Sequence, residues 1–279
     1  MNRPIRIGAV NYLNTKPLIY DLPLLAPEVE LVLDVPSRLA DQLHAGSLDV
    51  ALIPVIEYFR AGGYAIVPDI AIASRGPVLS VTLFSRVPWP EIRRVALDEG
   101  SRTSAVLAQI LLRRRHDVQP ELELLPLDRN AEESNADAVL LIGDRAMRAC
   151  LPGFAHAFDL GQEWFDWTGL PFVYAVWAVR AGAELGPVAV ALNEAKRRGC
   201  GRLGIIAEQE APRLGLDAGF CRRYLSTIIR FDLGPQEQAG LDHFYQLACE
   251  LGLAPRGGRI LLYEGGGGAL HGEPLKIRN

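Results

Sequence analysis

Apolar residues in the first third of the chain come in short runs, separated by polar turns and by segments of helical period. Residues 5–10 form one such run and predict a strand. The polar turn Asn11 to Lys16 follows, where Asn14 or Thr15 can cap a helix that holds Pro17 in its first turn, a position at which the missing N–H costs nothing. Residues 29–35 alternate as a strand, Ser37 caps a helix over 38–45, and Gly46 ends it. A strand over 49–53 and a short helix over 55–60, ended by Gly62-Gly63, complete the series. Alternation of this kind predicts a mainly parallel sheet covered by helices.

A second series begins beyond Pro88 and Pro90. Residues 78–84 read as a strand, 94–97 as a strand, 101–115 as a helix, 121–125 and 136–142 as strands, and 171–179 as a long β-rich run. From about 186 to 252 the pattern is almost entirely helical, broken at 199–204 and at Gly234-Pro235. An apolar run over 259–263 precedes four glycines, 265–268, and a polar tail that reads as mobile. The glycine run is not a phosphate loop, because no Gly-Lys-Ser/Thr follows it. The expected architecture is α/β with two lobes. Residues 1–84 plus 177–279 form lobe one, residues 85–176 form lobe two, and the runs 78–84 and 171–179 cross between them.

Composition narrows the function classes. With 279 residues, 49% hydrophobic and 22% charged, the chain can fill two modest cores. A net charge of -4 argues against a general nucleic-acid or membrane-surface binder. The longest basic run, Arg113-Arg114-Arg115, ends a predicted helix and suits the negative end of its dipole. Cys150, Cys200, Cys221 and Cys249 are too scattered for a metal or disulfide pattern, and those at 150, 221 and 249 fall in helical patterns as buried or half-buried thiols. The histidines show no paired spacing. No apolar run reaches the roughly 18 residues of a membrane span, and no leader-like apolar stretch opens the chain, so the expected compartment is the cytoplasm.

Four segments carry candidate chemistry, each with a plain structural alternative. Ser101-Arg102-Thr103-Ser104 opens a helix, whose unpaired N–H groups, hydroxyls and guanidinium suit a carboxylate, or which is simply capped there. Asn14 can present an amide to a ligand or serve the turn. Ser80 lies in an apolar run, so its buried hydroxyl needs a partner, either backbone or ligand. Asp144 follows Gly143 at the carboxyl end of a strand, the ligand end of a parallel sheet, or it caps the next helix. Trp164 and Trp167 read as packing. These residues describe a small-anion binder, with no catalytic triad, paired catalytic carboxylates, dinucleotide fingerprint or metal set in view.

Taken together, Asn11-Tyr12-Leu13-Asn14-Thr15-Lys16-Pro17-Leu18, Gly76-Pro77-Val78-Leu79-Ser80, Ser101-Arg102-Thr103-Ser104, Leu141-Ile142-Gly143-Asp144 and the stretch from Trp167-Thr168-Gly169 to Val176-Trp177 resemble the chorismate dehydratases of the futalosine route to menaquinone. The likeness runs from residue 5 to about 250. It implies a fold like that of type II periplasmic binding proteins, with a ligand cleft between lobes. It implies conversion of chorismate, a dicarboxylate, to 3-[(1-carboxyvinyl)oxy]benzoate and water, without cofactor or metal. It further implies Asn14 and Ser80 as catalytic residues, with Tyr12, Pro54, Ser101, Arg102, Thr103, Ser104, Gly143, Asp144 and Thr168 binding substrate. No motif supplies a convincing base, so the substrate's own enolpyruvyl carboxylate is the expected proton acceptor and Asp144 its rival. Two other readings stand beside this one. One is a non-catalytic solute-binding protein of the same fold. The other is 1,4-dihydroxy-6-naphthoate synthase, the sister enzyme, whose family places a histidine base where this chain has Gly143.

Overall fold

A computed structural model describes residues 3–264; the glycine run 265–268 and the tail after it lie outside the described residues. Eleven strands occur in chain order: β1 (Arg6–Val10), β2 (Glu30–Asp34), β3 (Val50–Pro54), β4 (Ala65–Ser74), β5 (Val81–Ser85), β6 (Arg94–Asp98), β7 (Glu121–Leu125), β8 (Ala138–Ile142), β9 (His156–Asp159), β10 (Phe172–Val179) and β11 (Ile229–Arg230). They form a six-stranded sheet, β11-β4-β10-β3-β1-β2, and a five-stranded sheet, β7-β6-β8-β5-β9. Strands β1, β2 and β3 are parallel, as are β6, β7 and β8. Strand β10 runs antiparallel between β3 and β4, and β5 runs antiparallel between β8 and β9. The central strands β3 and β8 are buried at every position, as their unbroken apolar sequences require when helices cover both faces.

Sheet membership differs from the expected division at both crossings. Strand β5 has β8 and β9 as partners, so residues 81–84 belong with the second sheet, whereas β10 belongs wholly with the first. The backbone explains the late start of β5. Leu79 adopts a left-handed conformation with φ of 62°, and Gly76 one of 94°, so the chain turns sharply before Val81 instead of running straight from 78. One continuous hydrophobic core joins the two sheets, running from Ile7 and Ile53 through Trp164 and Trp177 to Leu83 and Leu140. A smaller cluster, including Val139, Leu141 and Leu125, lies on the other face of the second sheet.

Several local expectations shift. The helix Pro36–His44 begins after Val35 with Pro36 at its start, so Ser37 is buried inside it instead of capping it. The turn after β1 is a tight 3-10 helix, Leu13–Ile19, without a side-chain cap. The predicted helix 101–115 is α-helical over Thr103–Ile110 and widens to a π-helical turn over Leu111–Arg115. There Arg115 pairs with Glu163 at 3.0 Å and Arg114 with Glu250 at 2.9 Å. Cys150 lies past the end of the helix Gly143–Arg148 and is exposed, whereas Cys221 and Cys249 are buried. No helix among the described residues is long and apolar enough to cross a membrane.

Candidate active site

The parallel strands β1, β3, β6 and β8 carry their carboxyl ends toward one cavity, walled by residues from both sheets. Val10, Tyr12 and Asn14 come from the end of β1, Pro54 from β3, Gly100 to Ser104 from β6 and Gly143 from β8. Ser80 joins them from the turn before β5. Of the residues expected at the site, Tyr12, Asn14, Pro54, Ser80, Ser101, Arg102, Thr103, Ser104 and Gly143 line this cavity.

Asp144 and Thr168 do not line it. Asp144 accepts the backbone N–H of Leu13 at 3.1 Å, and it is neither a helix cap nor among the residues that line the cavity. Burial pushes its carboxyl above the ordinary range, opposed by the Leu13 N–H, Arg148 and Lys16. Thr168 closes the helix Leu160–Thr168: its hydroxyl donates to the Trp164 carbonyl at 2.9 Å and accepts the Leu170 N–H at 3.1 Å.

One wall gathers hydrogen-bond donors. The helix Thr103–Ile110 starts at the cavity without a side-chain cap, so its first N–H groups have no partner within the helix. The Ser101 hydroxyl is buried and has no hydrogen-bond partner among the described residues. A buried, unsatisfied hydroxyl beside free helix amides costs free energy until an acceptor arrives. Arg102 does not supply the expected free guanidinium. It reaches across to the first sheet's helices, bonding Asp41 at 2.8 and 2.9 Å and Glu57 at 3.1 Å. The Thr103 hydroxyl is likewise engaged, accepting the Ile56 N–H at 3.3 Å.

The opposite wall carries a buried hydrogen-bond chain. The Asn14 side-chain amide donates to the Tyr224 hydroxyl at 3.1 Å, and that hydroxyl donates to Ser80 Oγ at 2.9 Å. Ser80 is held from behind. The Asp159 carboxylate accepts the N–H groups of Val78 at 3.0 Å and Leu79 at 2.7 Å, together with Gly161 and Gln162 at 3.0 Å. It thereby fixes the left-handed Leu79 and caps the next helix at once. Burial nevertheless pushes the Asp159 carboxyl upward.

Tyr12 floors the cavity. Its ring lies so close to Gly143 that a Cβ there would meet ring carbons at 2.7–2.8 Å, and Gly143 has a φ of 59°. Burial, reinforced by Asp98 and Asp144, pushes the Tyr12 phenol well above its ordinary value, so it stays protonated. The remaining surface is mostly apolar, with Ile72, Val78, Val81 and Ile142 among its walls. Tyr174 and Tyr224 escape the sequence reading as site residues. Tyr174 sits within a β-rich run that reads as core, and Tyr224 lies in a helical segment without any motif. Among the described residues no group of three or more His, Cys, Asp or Glu side chains could hold a metal ion.

Comparison with known proteins agrees with this geometry. The sequence pattern of a family described as menaquinone biosynthesis matches residues 5–250. The chorismate dehydratase of Thermus thermophilus is 35% identical over 277 residues, covering 91% of this chain and 98% of that protein. Among solved structures, a protein of Archaeoglobus fulgidus superposes with a TM-score of 0.72 at 18% identity, covering 90% of this chain and 99% of its own. The periplasmic aliphatic sulphonate binding protein SsuA of Escherichia coli superposes with a TM-score of 0.62 at 17% identity, covering 92% and 90%. The fold is therefore that of the periplasmic binding proteins. This likeness corrects the expected assignment to the cytoplasm: the fold serves periplasmic proteins, and the beginning of the chain, on which that assignment rested, cannot carry it.

Proposed function

We propose that this chain, which belongs to the menaquinone biosynthesis family, is a chorismate dehydratase. The observation that carries the reading at the site is a cavity with hydrogen-bond donors at the start of the helix Thr103–Ile110 and, also at the site, the Asn14–Tyr224–Ser80 chain. Chorismate carries two carboxylates and a ring hydroxyl. One carboxylate sits at the start of the helix Thr103–Ile110 and takes the Ser101 hydroxyl as a donor. The dipole contributes about 0.3–1 kcal/mol there, and each charge-assisted hydrogen bond about 1.5–3 kcal/mol. Ser80 and Asn14 address the other end of the ring.

The reaction breaks the C3–H and C4–O bonds of the ring and forms a C3–C4 double bond; the proton and the hydroxyl leave as water. The product is the aromatic 3-[(1-carboxyvinyl)oxy]benzoate. Aromatisation drives the step, so the protein contributes chiefly orientation and exclusion of water. The side chains on the cavity wall offer no general base. Its ionisable members are Tyr12 and Tyr174, both pushed up by burial, and Arg102, already paired with carboxylates. The enolpyruvyl carboxylate of the substrate, held over C3, takes the proton. No cofactor enters this scheme. The two sheets act as lobes that close over the substrate.

Purified protein mixed with chorismate and followed by chromatography and mass tests the reading. The expected result is a benzoate product lighter by one water, formed equally with and without a chelator. Saturable binding without turnover would instead favour a solute-binding role. Inertness toward chorismate with turnover of a naphthoate precursor would favour the sister enzyme, whose histidine has no counterpart on this cavity's wall.

A further inference from the structure

Tyr224 belongs to no motif, yet it touches both polar residues on the reacting wall. It sits in the π-helical turn Tyr224–Ile228, which leads directly into β11, and its side chain is completely buried. A phenol carries one proton. Because the Tyr224 oxygen accepts from the Asn14 amide at 3.1 Å, its single proton is free to go to Ser80 Oγ at 2.9 Å. Ser80 therefore receives a hydrogen bond from Tyr224, and its own O–H has no acceptor among the described residues. That O–H faces the cavity that Ser80 lines. Burial, with Asp144 and Asp159 nearby, keeps the phenol protonated, so this direction of donation holds across the ordinary pH range.

We propose that Tyr224 is a positioning residue that fixes Ser80 as a hydrogen-bond donor toward the substrate, making Ser80 a stabiliser of the departing hydroxyl and not a base. The proposal rests on the dehydratase reading. Without Tyr224, the Ser80 hydroxyl can turn back toward Asn14, and the donor that the leaving oxygen needs is lost for part of the time.

Tyr224→Phe, Ser80→Ala and the double variant test the proposal, each with kcat, KM and melting temperature measured. Tyr224→Phe is expected to lower kcat by roughly 10- to 100-fold while KM stays within about threefold, as for an interaction used in the transition state. In the Ser80→Ala background the same change should lower kcat by at least about fivefold less than in wild type, because only the contact of Tyr224 with Asn14 then remains. A purely structural role would cost the same in both backgrounds. Unchanged kcat in Tyr224→Phe, or equal losses in the two backgrounds, overturns the proposal. If Tyr224→Phe melts far below wild type, 3-fluorotyrosine at position 224 keeps ring and hydroxyl and alters only acidity. A change in kcat that vanishes with Ser80→Ala supports the role, and an unchanged or Ser80-independent kcat removes it. Wild-type protein inert toward chorismate fails the dehydratase reading itself; active wild type with additive losses fails only the role of Tyr224.

Discussion

Asp144 takes the backbone N–H of Leu13 at 3.1 Å, a contact between the end of β8 in one sheet and the turn after β1 in the other. The same contact engages one oxygen of Asp144, which does not line the cavity. Asp144→Asn keeps an acceptor for Leu13 and should keep kcat within about threefold. A loss beyond about 100-fold would put the base at 144. The pH dependence follows from burial, which raises this carboxyl above its unfolded value near 4. The native state then holds the proton more tightly, so the contribution of Asp144 to stability is greatest below about pH 4 and is lost as pH rises through the raised value. Asp144→Asn should therefore gain on wild type in urea titrations as pH climbs from 4 to 7.

Arg102, on the cavity wall, ties the second sheet's helix to Asp41 and Glu57 on helices of the first. Asp41 is largely exposed, and such pairs contribute about 0.2–1 kcal/mol. Asp41→Asn and Arg102→Gln should both raise KM, the former by roughly two- to fivefold, and added salt should blunt the difference. If Arg102 instead binds a substrate carboxylate, Asp41→Asn frees it and KM falls.

Gly143→Ala should cost about 1–3 kcal/mol in chemical denaturation, from a side chain in the left-handed region and from its collision with the Tyr12 ring. The ring yields into the cavity, so KM should rise with it. Normal stability and KM would show that the ring is free to move elsewhere.

Asp159→Ala strands the N–H groups of Val78, Leu79, Gly161 and Gln162. The expected loss is about 2–4 kcal/mol, combining a lost cap with unsatisfied donors. Turnover at low temperature, where the variant is still folded, should also fall, because Leu79 relaxes and carries Ser80 out of place. Unchanged turnover would mean that β5 alone fixes Ser80.

Most of the strands and the placement of residues 101–104 at the cavity were legible because both depend on local pattern: unbroken apolar runs for β3 and β8, a Ser/Thr cluster at a helix start for residues 101–104. Strand β4 was not. Pro68 and Asp69 interrupt it, and Asp69 takes a φ of 64°, so a ten-residue strand reads as a turn. Asn14 and Ser80 were marked only by their surrounding motifs. Tyr224 had no such marker, since what places it are contacts 210 and 144 positions away. Arg102 was read as free because its partners lie on other helices, and the run 78–84 was read as straight because nothing local announces that Asp159 bends it.

The placement of β10 between β3 and β4 also orders events during synthesis. The five-stranded sheet uses only residues 81–159, a continuous stretch, whereas the six-stranded sheet stays split until Phe172–Val179 emerges. The middle of the chain is thus able to fold before the part that precedes it, against the usual order in which N-terminal units mature first. Ribosome-bound chains halted at a length where residue 159 has left the exit tunnel and β10 has not should show protease protection over 81–159 and none over β1 and β3; early protection of β1 would refute this. On this account the enzyme acquires its active site last, when Tyr224 arrives.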